Sequence, residues 1–171
     1  IEVQRHNPYV QTILIGEDTP RVSYGAWRKD GQGWIANLKA ELGDKLDWKR
    51  IHLLGTVPHN QLISLLQVSS AHTYFTYPFV LSWSMLEAMS CECLLVGSRT
   101  DPVEEVIVDG ENGLLVDFSD VDGLAKQLID ALSSNMKYSA LRKEARITVQ
   151  ENYELQKCLS HRLRLIDKII A

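Results

Sequence analysis

The segment Ser82-Trp83-Ser84-Met85-Leu86-Glu87 sets two hydroxyls and a carboxylate at the start of a helical pattern. It follows the aromatic- and threonine-rich run His72 to Tyr77, which reads as a buried strand. A strand leading through a short loop into a helix N-terminus is where open α/β sheets bind nucleotides. The first-turn N–H groups there have no intrahelical acceptor, and the helix dipole favours a phosphate. Glu87, one turn into a helix beginning near Ser84, brings two acceptor oxygens to that place. The same residues carry a structural alternative, because Ser84-x-x-Glu87 is a capping-box pattern in which the glutamate reaches back to its own helix. Spacing alone favours the cap.

The chain's other polar groups are weaker candidates. Val57 and His59 follow the second strand; His59 lies in the first turn of a helix, where exposure is the simplest reading. Glu105 stands just after Asp101-Pro102-Val103-Glu104, a cap with an acidic first turn. Asp109-Gly110 and Asn112-Gly113 are turn signals, which explain the Asp109 to Gly113 run without any chemistry. Arg21, Arg28 and Lys29 fall in a polar, glycine-containing segment that reads as a solvated loop. His6, His52, His72 and His161 have no partners at ligand spacing, and no Asp-x-Asp pair is present. No metal is expected.

With 171 residues, 45% hydrophobic and 23% charged, the chain should form one globular domain with a full core. A net charge of −4 argues against non-specific nucleic-acid binding. The three cysteines, Cys91, Cys93 and Cys158, make no disulfide framework and no metal set, and they point to a reducing, cytoplasmic compartment. No apolar run reaches the length of a membrane span. The start at Ile1, with Ile1 to Pro8 resembling the end of a helix, suggests a piece of a longer protein.

These candidates need a scaffold of βα units. Strands are expected at Val10–Ile15, Ile51–Leu54, His72–Tyr77, Leu94–Gly97 and Leu114–Val116. Helices are expected at about Trp34–Leu42, His59–Val68, from Ser84, Asp101–Ile107, Val121–Leu132, Tyr138–Glu151 and Leu155–Ile170. The alternation predicts an α/β, Rossmann-like parallel sheet of about five strands with helices on both faces. The last helix carries Leu159, Leu163, Ile166 and Ile170 on one stripe.

Three segments in this order resemble a known family: Gly55-Thr56-Val57-Pro58, then Leu86-Glu87-Ala88-Met89, then Glu105-Val106-Ile107-Val108-Asp109-Gly110-Glu111-Asn112-Gly113-Leu114-Leu115-Val116. They look like the C-terminal, donor-binding half of the GT-B fold in bacterial group 1 (family 4) retaining glycosyltransferases. The resemblance runs from the Val10 strand to the Tyr153 region. It implies that Glu87 accepts from the ribose hydroxyls and that backbone N–H groups of Ser82, Trp83 and Ser84 meet the diphosphate. It implies that the base packs near Val57 and His59, and that Glu105 approaches the donor. Trp83 has the alternative of a buried anchor.

One position departs from the family. Phe79 stands where a second glutamate is usual, and a phenyl ring cannot accept a hydroxyl proton. The resemblance implies a nucleotide diphosphate sugar as donor substrate, no separate cofactor, and a hydroxyl acceptor such as a glycan held by an N-terminal domain not in this sequence. In the family the Arg and Lys that neutralise the diphosphate come from an earlier strand–loop unit, which is not found in this sequence and is expected ahead of Ile1. The fragment alone would then be inactive, and the full-length protein is expected to be cytoplasmic, with a peripheral position at the membrane as the alternative. Two rival readings stay open: a non-catalytic nucleotide- or partner-binding module, and a nucleotide-sugar epimerase on the same architecture.

Overall fold

A computed structural model describes residues 1–18, 31, 33–77, 80–134 and 136–170. Its first elements are α1 (Glu2–His6), β1 (Thr12–Leu14), α2 (Trp34–Leu42), β2 (Ile51–Leu53) and α3 (His59–Val68). Next come β3 (Ala71–Tyr74), α4 (Trp83–Ser90), β4 (Leu94–Ser98), α5 (Asp101–Glu104) and β5 (Leu114–Val116). Three helices end the chain: α6 (Val121–Ser133), α7 (Ser139–Asn152) and α8 (Leu155–Ile170). The chain divides into two units, Ile1–Leu62 and Ile63–Ala171.

In the first unit β1 and β2 pair in parallel, with Thr12 opposite Ile51 and Leu14 opposite Leu53. The ladder closes where Gly16 N–H donates to Gly55 C=O at 2.9 Å. Gly55 holds φ +63°, a conformation that costs a side-chain-bearing residue strain, which is why glycine ends this strand. The expectation of buried strands fails here: Ile13 is 39% exposed and Leu53 43%. Among the described residues of this unit only Gln4 is buried. Its amide clamps Asp47, donating to the Asp47 carbonyl at 3.1 Å and accepting from the Asp47 N–H at 2.9 Å.

The second unit holds the core. Strands β3, β4 and β5 lie in that order, all parallel, with β4 in the middle and buried at every residue. A central parallel strand is covered on both faces, so its sequence Leu94-Leu95-Val96 is continuously apolar rather than alternating. Leu94 and Val96 pack with Leu114, Val116, Ala131 and Tyr138, joined by Leu124 and Leu128 of α6. Leu95 and Gly97 alternate to the other face. A Cβ on Gly97 would stand 3.0 Å from Val103 Cγ1, so a larger residue there would have to push the buried Val103 of α5 away from the sheet.

The five parallel strands thus form two hydrogen-bonded sheets, one per unit, rather than one five-stranded ladder. The helix expected at Asp101–Ile107 is also shorter, ending at Glu104. Its cap position belongs to Thr100, whose carbonyl accepts from Val103 and Glu104 N–H, so Asp101 and Pro102 are its first two residues. Asn112 is what stops it. The buried Asn112 amide donates to Val106 C=O at 3.0 Å and accepts from Val108 N–H at 2.8 Å, taking backbone groups a helix would need.

Candidate functional site

Helix α4 starts one residue earlier than the sequence suggests, and this changes the meaning of Glu87. Ser82 is the N-cap: its Oγ accepts from Ser84 N–H at 3.3 Å and lies 3.0 Å from Ser84 Oγ. The cap is fixed from below by Tyr74, at the end of β3, whose hydroxyl accepts from Ser82 N–H at 3.0 Å. Glu87 therefore occupies the fifth helical position, not the third, and the Ser84–Glu87 capping box does not form. It is half-buried, in a helix whose Met85, Ala88 and Met89 are fully buried.

The loop before α4 is held at its other end by Ser98, the last residue of β4. The fully buried Ser98 hydroxyl accepts from Thr76 N–H and donates to Thr76 C=O, each at 3.1 Å. Two side chains at the C-terminal ends of neighbouring strands, Tyr74 and Ser98, thus position the chain that enters α4. Both were missed in the sequence, where nothing local separates a strand-end tyrosine or serine from ordinary packing.

The buried-anchor alternative for Trp83 is excluded, since Trp83 is 82% exposed. Of the three N–H groups expected to meet an anion, Ser82's goes to Tyr74 and Ser84's to the Ser82 side chain. The Trp83 N–H, first in the helix, has no acceptor among the described residues. It carries the positive end of the helix dipole outward. Phe79, Arg21, Arg28 and Lys29 lie outside the described residues.

At its far end α4 is held by α7. Arg146 donates to Ser90 C=O at 2.6 Å, and Arg142 donates to Glu92 C=O at 3.4 Å and to Ser70 C=O at 2.7 Å. These cations satisfy carbonyls at or beside the negative end of the helix. The neighbouring cysteines are inert packing: burial pushes the Cys91 thiol up and that of Cys93 up to about 11.

Glu105 is exposed. It lines a 440 Å³ cavity with Glu111, Asn112, Glu144, Asn152 and Tyr153, and none of Ser82 to Glu87 borders it. The Asp109 to Gly113 run is structural. Asp109 accepts from Leu115 N–H at 2.9 Å and from Arg99 at 2.8 Å, while Asn112 also donates to Thr148 Oγ1 at 3.1 Å. Arg99, just past β4, also faces Glu104 at 3.5 Å and Asp117 at 3.4 Å. Its bond to Asp109 raises its pKa further, so it is permanently cationic and already neutralised.

Val57 and His59 belong to the first unit. Val57 is half-buried, and His59 is the exposed first residue of α3. Pro58 C=O receives Gln61 N–H at 2.9 Å and Leu62 N–H at 3.1 Å, which starts the helix at this point. His52 bonds Gln11 at 2.8 Å, and His72 is half-buried on β3. Among the described residues no His, Cys, Asp or Glu cluster could hold a metal ion. None of their helices is long and apolar enough to cross a membrane.

Parallel strands with helices on both faces, and a helix N-terminus braced from two strand ends, define a Rossmann-like α/β class. The family described as glycosyl transferases group 1 matches residues 3–148, and the chain belongs to it. An uncharacterized glycosyltransferase of Methanocaldococcus jannaschii is 23% identical over 137 residues, covering 80% of this chain and 35% of that protein. The N-acetyl-alpha-D-glucosaminyl L-malate synthase of Bacillus anthracis is 33% identical over 76 residues, covering 44% of this chain and 20% of its own. Among solved structures, Anabaena HepE in complex with UDP-glucose superposes with a TM-score of 0.81 at 16% identity, covering 98% of this chain and 43% of that one. The fold is that of GT-B glycosyltransferases. The chain spans only about a third or less of the curated relatives it matches.

Proposed function

We propose that this chain binds the donor of a retaining glycosyltransferase that moves a sugar from a nucleoside diphosphate sugar to an acceptor hydroxyl. The observation that carries the reading is the α4 N-terminus, in a chain of the group 1 family: a cap braced by Tyr74, a Trp83 N–H with no acceptor among the described residues, and Glu87 not used as a capping-box residue. In this reading Glu87 accepts from the two ribose hydroxyls, and the Trp83 N–H donates to the diphosphate with Ser82 and Ser84 shaping the turn.

Departure of the nucleoside diphosphate limits such a reaction, so donors aimed at its developing charge contribute most to rate. The positive end of α4 is one such donor. The acceptor, the catalytic groups and further phosphate cations come from the remaining length that the relatives have, with reaction in a closed, water-poor cleft. A cytoplasmic site fits its three free cysteines.

Thermal melts of the full protein with UDP, GDP and ADP, each alone and as its glucose conjugate, test this reading. A ligand at 100 times its Kd stabilises the folded state by about 2.7 kcal/mol. A saturable rise in Tm with one nucleotide series is expected; no rise with any of them contradicts donor binding.

A further inference from the structure

We infer that helix α8 docks on an anionic membrane surface, with its apolar stripe at the acyl boundary and its basic stripe among the lipid headgroups. Neither stripe includes a residue of the donor-binding reading. Leu155, Leu159, Leu163, Ile166 and Ile170 recur every three or four residues and so share one face of the helix. All five are exposed, from 46% for Leu159 to 78% for Ile170, and no residue of α8 is buried. Lys157, His161, Arg164 and Lys168 recur at the same spacing on the opposite face.

Charge says what covers the stripe. Lys157, Arg162, Arg164 and Lys168 stand against a single acidic residue, Asp167, in a chain whose net charge is −4. None of these cations is ion-paired among the described residues. Lys157 Nζ donates to Gln150 C=O at 3.1 Å and Arg164 to Ser160 C=O at 3.2 Å. A second copy of the helix would bring the same cations together, with only Asp167 to offset them. An anionic bilayer, such as a cytoplasmic leaflet, complements both faces at once. A helix is about 10 Å across, so when its apolar stripe sinks to the acyl boundary its basic stripe stands at headgroup level. Arg162 flanks the apolar stripe, and its long stem lets the guanidinium reach up to the lipid phosphates. With 16 residues and these charges α8 is too short and too polar to span the bilayer, so it lies along the surface.

The test mixes the full protein with vesicles of phosphatidylcholine, alone or with an equal part of phosphatidylglycerol, and reads the bound fraction by flotation. Wild type should bind the phosphatidylglycerol vesicles at least about tenfold more tightly than the neutral ones, a preference that salt screens. Lys157→Gln, Arg164→Gln and Lys168→Gln together should weaken that binding about a hundredfold, roughly fivefold per charge. Leu163→Glu should weaken binding to both kinds of vesicle, because it sets a charge at the acyl boundary. Both variants should melt within about 2 °C of wild type, since every altered side chain is exposed. No binding by wild type, equal binding to neutral vesicles, or binding untouched by the triple substitution each overturns the assignment. A wild type that ignores vesicles, beside a Leu163→Glu protein melting several degrees lower, overturns it too and shows the stripe packed within the full protein.

Discussion

His72 shows how a single residue in this fold makes a measurable demand on its surroundings. It sits on β3 with Nε2 buried and without a partner among the described residues, and burial lowers its pKa from the usual 6.5. Between the lowered folded value and 6.5 the unfolded chain binds more protons than the native one, so stability rises with pH there. The contribution of neutral His72 is complete above pH 6.5 and is lost as pH falls through that window. Denaturant melts from pH 7.5 to about 5 should show this slope, and His72→Leu should flatten it. A wild-type slope that survives the substitution assigns the effect to other groups. Residue roles were the least legible part of the sequence. Glu87 looked like a cap because Ser84 stands three residues before it, but the choice of Ser82 as the true cap depends on the Tyr74 hydroxyl, a contact across eight residues. Trp83 resembled a core anchor by type alone, and only its place at the exposed start of α4 shows otherwise.

Among elements, α4 has an end that glycine would suit better than the residue it has. Cys93 N–H donates to Ala88 C=O and Glu92 N–H to Met89 C=O, both at 3.0 Å, which is a Schellman motif. Glu92 occupies its left-handed position with φ +56°. Glu92→Gly should raise stability by about 0.5–1 kcal/mol by relieving that strain. The Glu92 pair with Arg146, 3.8 Å apart and half-exposed on both sides, offsets little of this. A loss of stability in urea melts would show that the pair outweighs the strain. Elements of strong periodicity were readable: α2, α3 and α8 begin and end where their apolar spacing places them. So was β4, whose apolar run announces burial on both faces. The end of α5 was not readable, because Asn112, eight residues beyond Glu104, captures the backbone by a contact that no local pattern encodes. The exposure of β1 and β2 was hidden for the converse reason: apolar residues such as Ile13 and Leu53 signal a strand, not what covers it.

At the scale of the molecule, the buried apolar residues among those described begin at Leu66, so cohesion there is concentrated in the second unit. Native-state hydrogen exchange should find the amides of β4 and β5 most protected and those of β1 and β2 among the first to exchange. Uniform protection across both units would contradict this division. The central claim, however, is that the C-terminal ends of β3 and β4 position α4 to hold a nucleotide, with Glu87 as its ribose ligand. Calorimetric titration of the full protein with the nucleoside diphosphate it binds, wild type beside Glu87→Gln, tests this most directly. Replacing one carboxylate oxygen by an amide donor should weaken binding by about 1.5–3 kcal/mol, the range for hydrogen bonds to a charged group. Ligand-free denaturant melts should differ by less than about 1 kcal/mol, since Glu87 does not act in the helix cap. Unchanged affinity, with a large loss of stability in the ligand-free protein, would make Glu87 part of the scaffold and contradict the account.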